Sequence, residues 1–349
     1  MSDLDTLARA ATRELLDTGI PDVSARYAEL KRIRTRRTTA KVGAAVAAVI
    51  VGVGGWQLSR VGEHRSPQPV APRPEMGNGA VLGVHELGNG TSGQWATAYG
   101  DMNAHLPIDP DADPLLQFSA DGHTFYYSDD QQQLASWDLV TGTKAVLAPC
   151  PASGCRGGSV SPDGATAAFL GDGHLALTDL RTGSTRPLEL PGLDGGPAAW
   201  SPDGRTLAVA DATGLWTVRV ADRHTATVHV STLQNAVEPA SSVAWSPDGS
   251  RIAFFDVAQD QQHALGRYTL MTTRPDGSDL VAVHDAGWCE CDRTGPPSVA
   301  WSPDGTQLAV ATADLGEDTG VYTVRPDGSH WTLRMTGYWS RLTWQPLAE

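Results

Sequence analysis

Five times between residues 118 and 305 the chain repeats one short phrase. The copies read FSADG (118–122), VSPDG (160–164), WSPDG (200–204), WSPDG (245–249) and WSPDG (301–305). Their serines are 42, 40, 45 and 56 residues apart. Ser-Pro-Asp-Gly is a turn with a mechanism. Proline presets φ at the second position, aspartate bonds nearby amides, and glycine takes the positive φ that closes the turn. The flanks alternate as strands do: Val243/Trp245, Val299/Trp301 and Leu342/Trp344 before the turn, Leu207/Val209, Ile252/Phe254 and Leu308/Val310 after it. A second turn follows in each unit, as SWDLVTG (136–142), LTDLRTG (177–183), LMTTRPDG (270–277) and YTVRPDG (322–328), with LWTVRVADR (215–223) the loosest copy. Each unit therefore reads strand A, turn, strand B, loop, strand C, turn, strand D. A unit of roughly 40–45 residues has the length of one four-stranded propeller blade.

The last repeat breaks off. RLTWQP (341–346) reproduces strand A, with Trp344 in the place of Trp301, and then the sequence ends. A ring must close, and an open last blade leaves an exposed sheet edge. GAVLGVHEL (79–87) and QWATAYGD (94–101) alternate like strands but carry no turn motif of their own. The reading is a six-bladed ring closed by one shared blade. The C-terminal fragment gives strand A, residues 79–101 give two more strands, and a stretch near 103–107 gives the fourth. Phe118, Trp200, Trp245, Trp301 and Trp344, with Gly122, Gly164, Gly204, Gly249 and Gly305, are its structural signature.

On these residues the chain from about 79 to 346 resembles the TolB-type, WD-repeat-like β-propellers of bacteria. SWDLVTG resembles the end of a WD repeat, but the Gly-His pair expected between WD repeats is missing, which favours the TolB-like group. The resemblance implies an all-β fold and a binding role. TolB works in an envelope complex with a peptidoglycan-associated lipoprotein, and that partner is not carried over. This chain departs from TolB by lacking the additional N-terminal α/β domain and carrying an apolar anchor instead.

Antiparallel strands sort the connections. A–B and C–D turns share one face, and B–C and D–A loops share the other. The irregular features fall on the second face, where recognition residues are expected. The unit starting at 241 has an expanded B–C connection (256–266) and a D–A connection (285–297) carrying Trp288, Cys289, Glu290, Cys291, Asp292 and Arg293. Trp288, Glu290, Asp292 and Arg293 form the candidate interaction loop. Cys150, Cys155, Cys289 and Cys291 are the disulfide candidates, with 150–155 a local staple. A bond within Cys289-x-Cys291 is strained, and pairing across to 150/155 needs loops from opposite sides of the ring to meet. Four-sulfur metal binding is a further alternative, although the spacings are not those of zinc fingers. DPDADP (109–114) lacks the glycine of a calcium loop and reads as an acidic connector.

Upstream, residues 42–58 (VGAAVAAVIVGVGGWQL) hold no charge. As a helix they span about 25 Å at ~1.5 Å per residue, the short end of a membrane span. Lys41 and Arg60 could extend it by snorkelling. The six cations Lys31, Arg32, Arg34, Arg36, Arg37 and Lys41 precede it, which places the N-terminus inside. A cleaved signal peptide and a buried core helix are the alternatives; the long head and the absence of an A-x-A pattern after the run favour a retained anchor. The expected organisation is a basic, partly helical cytoplasmic head (1–40), a transmembrane helix (41–59), a proline-rich stalk (60–78) and an extracytoplasmic propeller (79–349).

Charge follows the same division. Residues 1–41 have a balance of +3 and residues 60–349 one of −17. An acidic propeller repels phosphate backbones, which argues against nucleic acid as its partner. The chain contains no G-x-S-x-G elbow, H-E-x-x-H helix or phosphate loop. The expectation is a non-catalytic module with no cofactor or metal, binding a protein or small ligand through the loop face. A lactonase- or hydrolase-like propeller enzyme with a channel metal is the alternative, and a transmembrane sensor or regulator the second.

Overall fold

The structure, a computed structural model, describes residues 76–86, 94–99, 116–129, 131–150, 155, 157–171, 174–188, 196–211, 214–230, 242–259, 266–289, 297–312 and 319–348. The chain divides into two compact units, 1–66 and 67–349, and all described residues lie in the second. Every regular element among them is a strand. Two strands open the series, β1 (Met76–Glu86) and β2 (Gln94–Tyr99). The first blade is β3 (Leu116–Phe118), β4 (Thr124–Ser128), β5 (Gln133–Asp138) and β6 (Lys144–Pro149). The second is β7 (Ser159–Val160), β8 (Thr166–Gly171), β9 (His174–Asp179) and β10 (Thr185–Leu188). The third is β11 (Ala198–Trp200), β12 (Thr206–Asp211), β13 (Gly214–Arg219) and β14 (His224–Val230). The fourth is β15 (Val243–Trp245), β16 (Ile252–Gln259), β17 (Gly266–Thr273) and β18 (Val281–Cys289). The fifth is β19 (Ser298–Trp301), β20 (Leu308–Ala311), β21 (Gly320–Val324) and β22 (Thr332–Thr336), and β23 (Tyr338–Ala348) ends the chain.

Each blade is a four-stranded antiparallel meander in chain order. Strand B is buried on both faces, because a blade packs between two others. One face carries large side chains, the positions three and five past the turn glycine: Phe125/Tyr127, Ala167/Phe169, Leu207/Val209, Ile252/Phe254 and Leu308/Val310 are all buried. The opposite face carries alanines, including Ala168, Ala208, Ala210, Ala253, Ala309 and Ala311. Large side chains of one blade meet the alanine face of the preceding one. Ile252 and Phe254 pack on Ala208 and Ala210, and Leu308 and Val310 on Ala253. This large-on-small fit brings the sheets close enough for dense packing.

The tryptophans that end strand A tie neighbouring blades at the centre. Trp200, Trp245 and Trp301 each donate from Nε1 to a carbonyl of the preceding strand A, at Ser159, Ala199 and Ala244, over 3.0–3.1 Å. Polar side chains stitch these and the other seams. Gln117 brackets Val160, Ser159 Oγ accepts from the Trp200 amide, Ser242 Oγ from Val299, and Ser298 Oγ from Leu342.

Five four-stranded blades are present where the repeat count suggested six. The remaining sheet has three strands in the order β2-β1-β23, and the stretch near 103–107 expected as its fourth lies outside the described residues. The shared sheet does join the first described strand to the last. Val81 pairs with Trp344 and Leu82 with Thr343. It is longer than the repeat implied, running from Met76↔Ala348 to Glu86↔Tyr338, so its first strand starts three residues before position 79. One side packs on the fifth blade (Val81, Leu342 and Trp344 with Ala300, Ala309 and Val321), the other on the first (Leu82 with Phe118 and Phe125). Trp344 breaks the tryptophan pattern, since its Nε1 donates to Gly79 O within its own sheet at 3.0 Å. The apolar segment, the basic head and the expected stalk up to residue 75 lie outside the described residues, while Met76–Asn78, expected as the end of the stalk, are strand in β1. Among the described residues no helix is long and apolar enough to cross a membrane.

Candidate binding face

The two faces differ in how they are built. On the A–B side the five turns share one hydrogen-bond set. In each, the serine Oγ donates to the aspartate Oδ1 at 2.5–2.6 Å, the amide after the glycine donates to the same oxygen at 2.9–3.0 Å, and a later amide donates to the serine Oγ. The serine hydrogen bond holds the Asp121 and Asp163 carboxyls below their ordinary range. At Asp248 and Asp304 partial burial pushes upward, and the hydrogen bonds from Ser246 and Ser302 and from backbone amides outweigh it. The C–D turns close alike: Asp138 and Asp179 accept backbone amides of Val140/Thr141 and Arg181/Thr182. These aspartates are committed to turn closure and do not converge on a site.

The turns also touch one another. A Cβ at Gly204, Gly249 or Gly305 would meet Pro162, Pro202 or Pro247 of the preceding turn at 3.6–3.8 Å. The first copy has Ala120 where the others have proline, and there the Tyr126 hydroxyl covers Gly164. The absent proline was visible in the sequence; its replacement was not. At the seam made by the chain ends, Asn78 donates from Nδ2 to Asp304 Oδ2 at 2.8 Å, and its Oδ1 accepts the Asp304 amide at 3.2 Å. Nothing in the repeat pattern pointed to Asn78.

On the opposite face the fourth blade stands out. Its strands β16, β17 and β18 have eight, eight and nine residues, whereas β12 and β13 have six each. Strand A of this blade stops pairing at Val243↔Phe254, while β16–β17 continue to Gln259↔Gly266 and β17–β18 to Gly266↔Cys289. The result is a three-stranded projection beyond the ring. Phe255 and Tyr268 pack edge to face at its base. Arg267 clasps Asp285 through Nε at 3.0 Å and through Nη2. This corrects the expected loops. Residues 256–259, 266 and 285–289 are strand, because pairing among the three segments continues the ladder, with bulges between β17 and β18. Trp288 and Cys289 thus sit in β18, with Trp288 opposite Arg267. Glu290, Cys291, Asp292 and Arg293 lie outside the described residues.

At the outer end of the seam between the fourth and fifth blades, the His284 ring stacks on Trp331 at 3.6 Å and Trp331 on Tyr322 at 4.5 Å. The sequence did not point to this stack, in which His284 is 38 residues from Tyr322 and 47 from Trp331. Cys150 and Cys155 form a disulfide with Cα atoms 5.1 Å apart. Cys155 is buried against Leu134, Val160 and Phe169 in the seam of the first two blades. Among the described residues no three or more His, Cys, Asp or Glu side chains converge as a metal site.

No protein-family model and no curated protein matches the chain. Solved structures do. TolB from Acinetobacter baumannii is similar with a TM-score of 0.57 at 18% identity over 76% of this chain, which spans 66% of that protein's length. A chain of the nidogen/laminin complex is similar with a TM-score of 0.55 at 12% identity, covering 77% of this chain and 98% of that one. A TolB from Agrobacterium tumefaciens gives 0.50 at 15% identity, covering 76% and 91%. At these identities the likeness is one of fold: the described residues form a TolB-like β-propeller.

Proposed function

We propose that this chain is a non-catalytic binding propeller, tethered by residues 42–58 and exposed outside the cytoplasmic membrane. One observation carries the reading. One face is closed by self-satisfied turns whose polar groups bond each other, and the other raises a strand-built projection on the fourth blade. A rigid ring with one differentiated face suits recognition by that face. Likeness to TolB in fold supports a binding role, and the Cys150–Cys155 disulfide supports an oxidising compartment. The three-stranded sheet β2-β1-β23 packs on both the fifth blade and the first.

The test is capture of envelope proteins by the full chain and by a variant whose projection is shortened, with Val257–Tyr268 replaced by Asn-Gly. A protein held by the first and lost by the second is expected. Equal recovery by both refutes the choice of face. Metal analysis and a hydrolase screen on the same preparation test the enzyme alternative: stoichiometric calcium lost together with an activity would overturn the binding reading.

A further inference from the structure

The first blade departs from the other four at one position of strand C. Opposite the residue three past the turn glycine, the second to fifth blades carry Thr178, Val218, Thr273 and Val324, all β-branched and buried. The first blade carries Trp137 there. Its indole packs on the cluster that holds Leu82, Phe118 and Phe125 at the seam with the closing sheet. Nε1 is buried and meets no acceptor among the described residues. Lys144 pairs with Trp137 across the hairpin and lies over its ring at 5.0 Å. It is exposed and makes no ion pair among the described residues. An indole N–H and an ammonium can only donate, so two donors stand together without an acceptor. A buried indole N–H ordinarily has a partner.

The hairpin around this pair is open. Val140 in its turn and Val146 in β6 are 72% and 61% exposed, the highest values among the large hydrophobic residues described. Strand β6 is the outer edge of its sheet. Val146 stands two residues from Lys144 on the same face, and the ladder is regular between them before it bulges toward Ala148. An edge lysine deters an apolar strand, whose approach would bury an unanswered charge. It admits a strand that brings a carboxylate. We propose that the outer edge of the first blade docks a short extended segment of a partner protein, with an aspartate or glutamate set against Lys144 and Trp137 and an apolar side chain set on Val146. The segment adds antiparallel to β6, so in chain order it reads apolar, any residue, acidic. The carboxylate supplies the acceptor that both donors lack, through charge-assisted hydrogen bonds. The apolar residue makes a cross-strand pair with Val146. Lys144 is also the selective element, because a cation or an apolar side chain opposite it is penalised. The site uses neither the fourth-blade projection nor the tether, so it stands or falls separately from the function proposed above.

The test uses the full chain, isotope-labelled at its tryptophan indole nitrogens and followed by nuclear magnetic resonance. Trp137→Phe identifies the Trp137 N–H resonance by its loss. The probe is the peptide acetyl-Thr-Val-Thr-Glu-Thr-amide. As the peptide is added, the Trp137 resonance should move downfield and saturate, because its N–H gains an acceptor. The peptide with Gln in place of Glu should bind about tenfold more weakly, and so should the original peptide on Lys144→Gln; Lys144→Arg, which keeps the charge, should stay within about threefold. Sodium acetate at the same concentration should leave the resonance in place. A resonance that does not move at about 10 mM peptide overturns the site. Equal binding of the Gln peptide overturns the carboxylate, and an equal shift by acetate reduces the site to one for free anions and overturns the docked segment. Lys144 is exposed, and unfolding curves of both lysine variants serve as the control for folding.

Discussion

At the residue scale this protein depends on the repeated serine and aspartate of its turns. In the third copy Ser201, which is buried, gives a hydrogen bond to Asp203 and takes one from Thr206. Ser201→Ala strands the Thr206 amide, so a loss of about 1–3 kcal/mol is expected for leaving a buried donor without its partner. Denaturant unfolding checks it, and a midpoint unchanged from the parent chain would refute the shared-turn account. The aspartates give a pH dependence whose sign is determined. Hydrogen bonds hold Asp121, Asp163, Asp138, Asp179, Asp276 and Asp327 below their ordinary value. A group with a depressed folded pKa contributes stability that is complete above its unfolded value and is lost as pH falls through the folded one. The melting temperature should therefore be insensitive to these groups above about pH 5 and should fall progressively below about pH 4. A melting temperature that holds steady from pH 5 to pH 3 would show that turn closure does not depend on the ionised carboxylates.

At the scale of strands and seams, two tryptophans make opposite predictions from the same substitution. Trp301 donates to Ala244 O across the seam of the fourth and fifth blades. Trp137, in β5, buries Nε1 with no acceptor among the described residues, while Lys144 lies over its ring at 5.0 Å. Trp301→Phe removes a bond and leaves a carbonyl unmet, so a cost of about 1–3 kcal/mol is expected. Trp137→Phe removes a donor that has no acceptor among the described residues, so its cost should be visibly smaller. Paired unfolding curves decide, and a larger loss at 137 would contradict the seam account. Most of this level was legible in the sequence. The five turns, the strands beside them and the buried positions three and five past each glycine follow from a period-two pattern and a strict turn motif. The seam stitching was not legible, because Gln117–Val160, Asn78–Asp304 and His284–Trp331 join residues 43, 226 and 47 apart with no local signature. The projection was misread as loop for a related reason. Nothing in DVAQ or DAGWC differs locally from a polar connection, and only the pairing of three segments makes them strand.

For the whole molecule the decisive place is the closing sheet, where the two ends of the chain replace the hairpin found in every other blade. Gly122 offers a direct probe of closure. Its φ is +73°, and a Cβ there would collide with the Pro346 carbonyl oxygen. Gly142 has the same φ of +73° with open space around it. Gly142→Ala should cost only the backbone term, about 1–2 kcal/mol, whereas Gly122→Ala must also push β23 away from the first blade. The difference between their unfolding midpoints isolates ring closure from turn strain, and equal midpoints would mean that β23 yields freely. The same architecture predicts that ring order matters and chain order does not. Met76 and Ala348 are paired neighbours, so a Ser-Pro-Asp-Gly linker between them restores the missing A–B hairpin. New ends can be cut at the open C–D turn before Gly142. A chain running 142–348, linker, 76–141 keeps every seam, and it should fold with a cooperative transition and the same strand content. Deleting 341–349 from the original order removes most of the partner of β1, with Leu342 and Trp344 of the core cluster beside the fifth blade. That truncation should unfold well before the permutant, although it changes far less of the connectivity. If the permutant fails while the truncation survives, the sheet made by the two ends is an ornament on an otherwise self-sufficient array of blades. If the permutant folds and the truncation does not, the ring is one cooperative body held shut by hydrogen bonds between its first strand and its last.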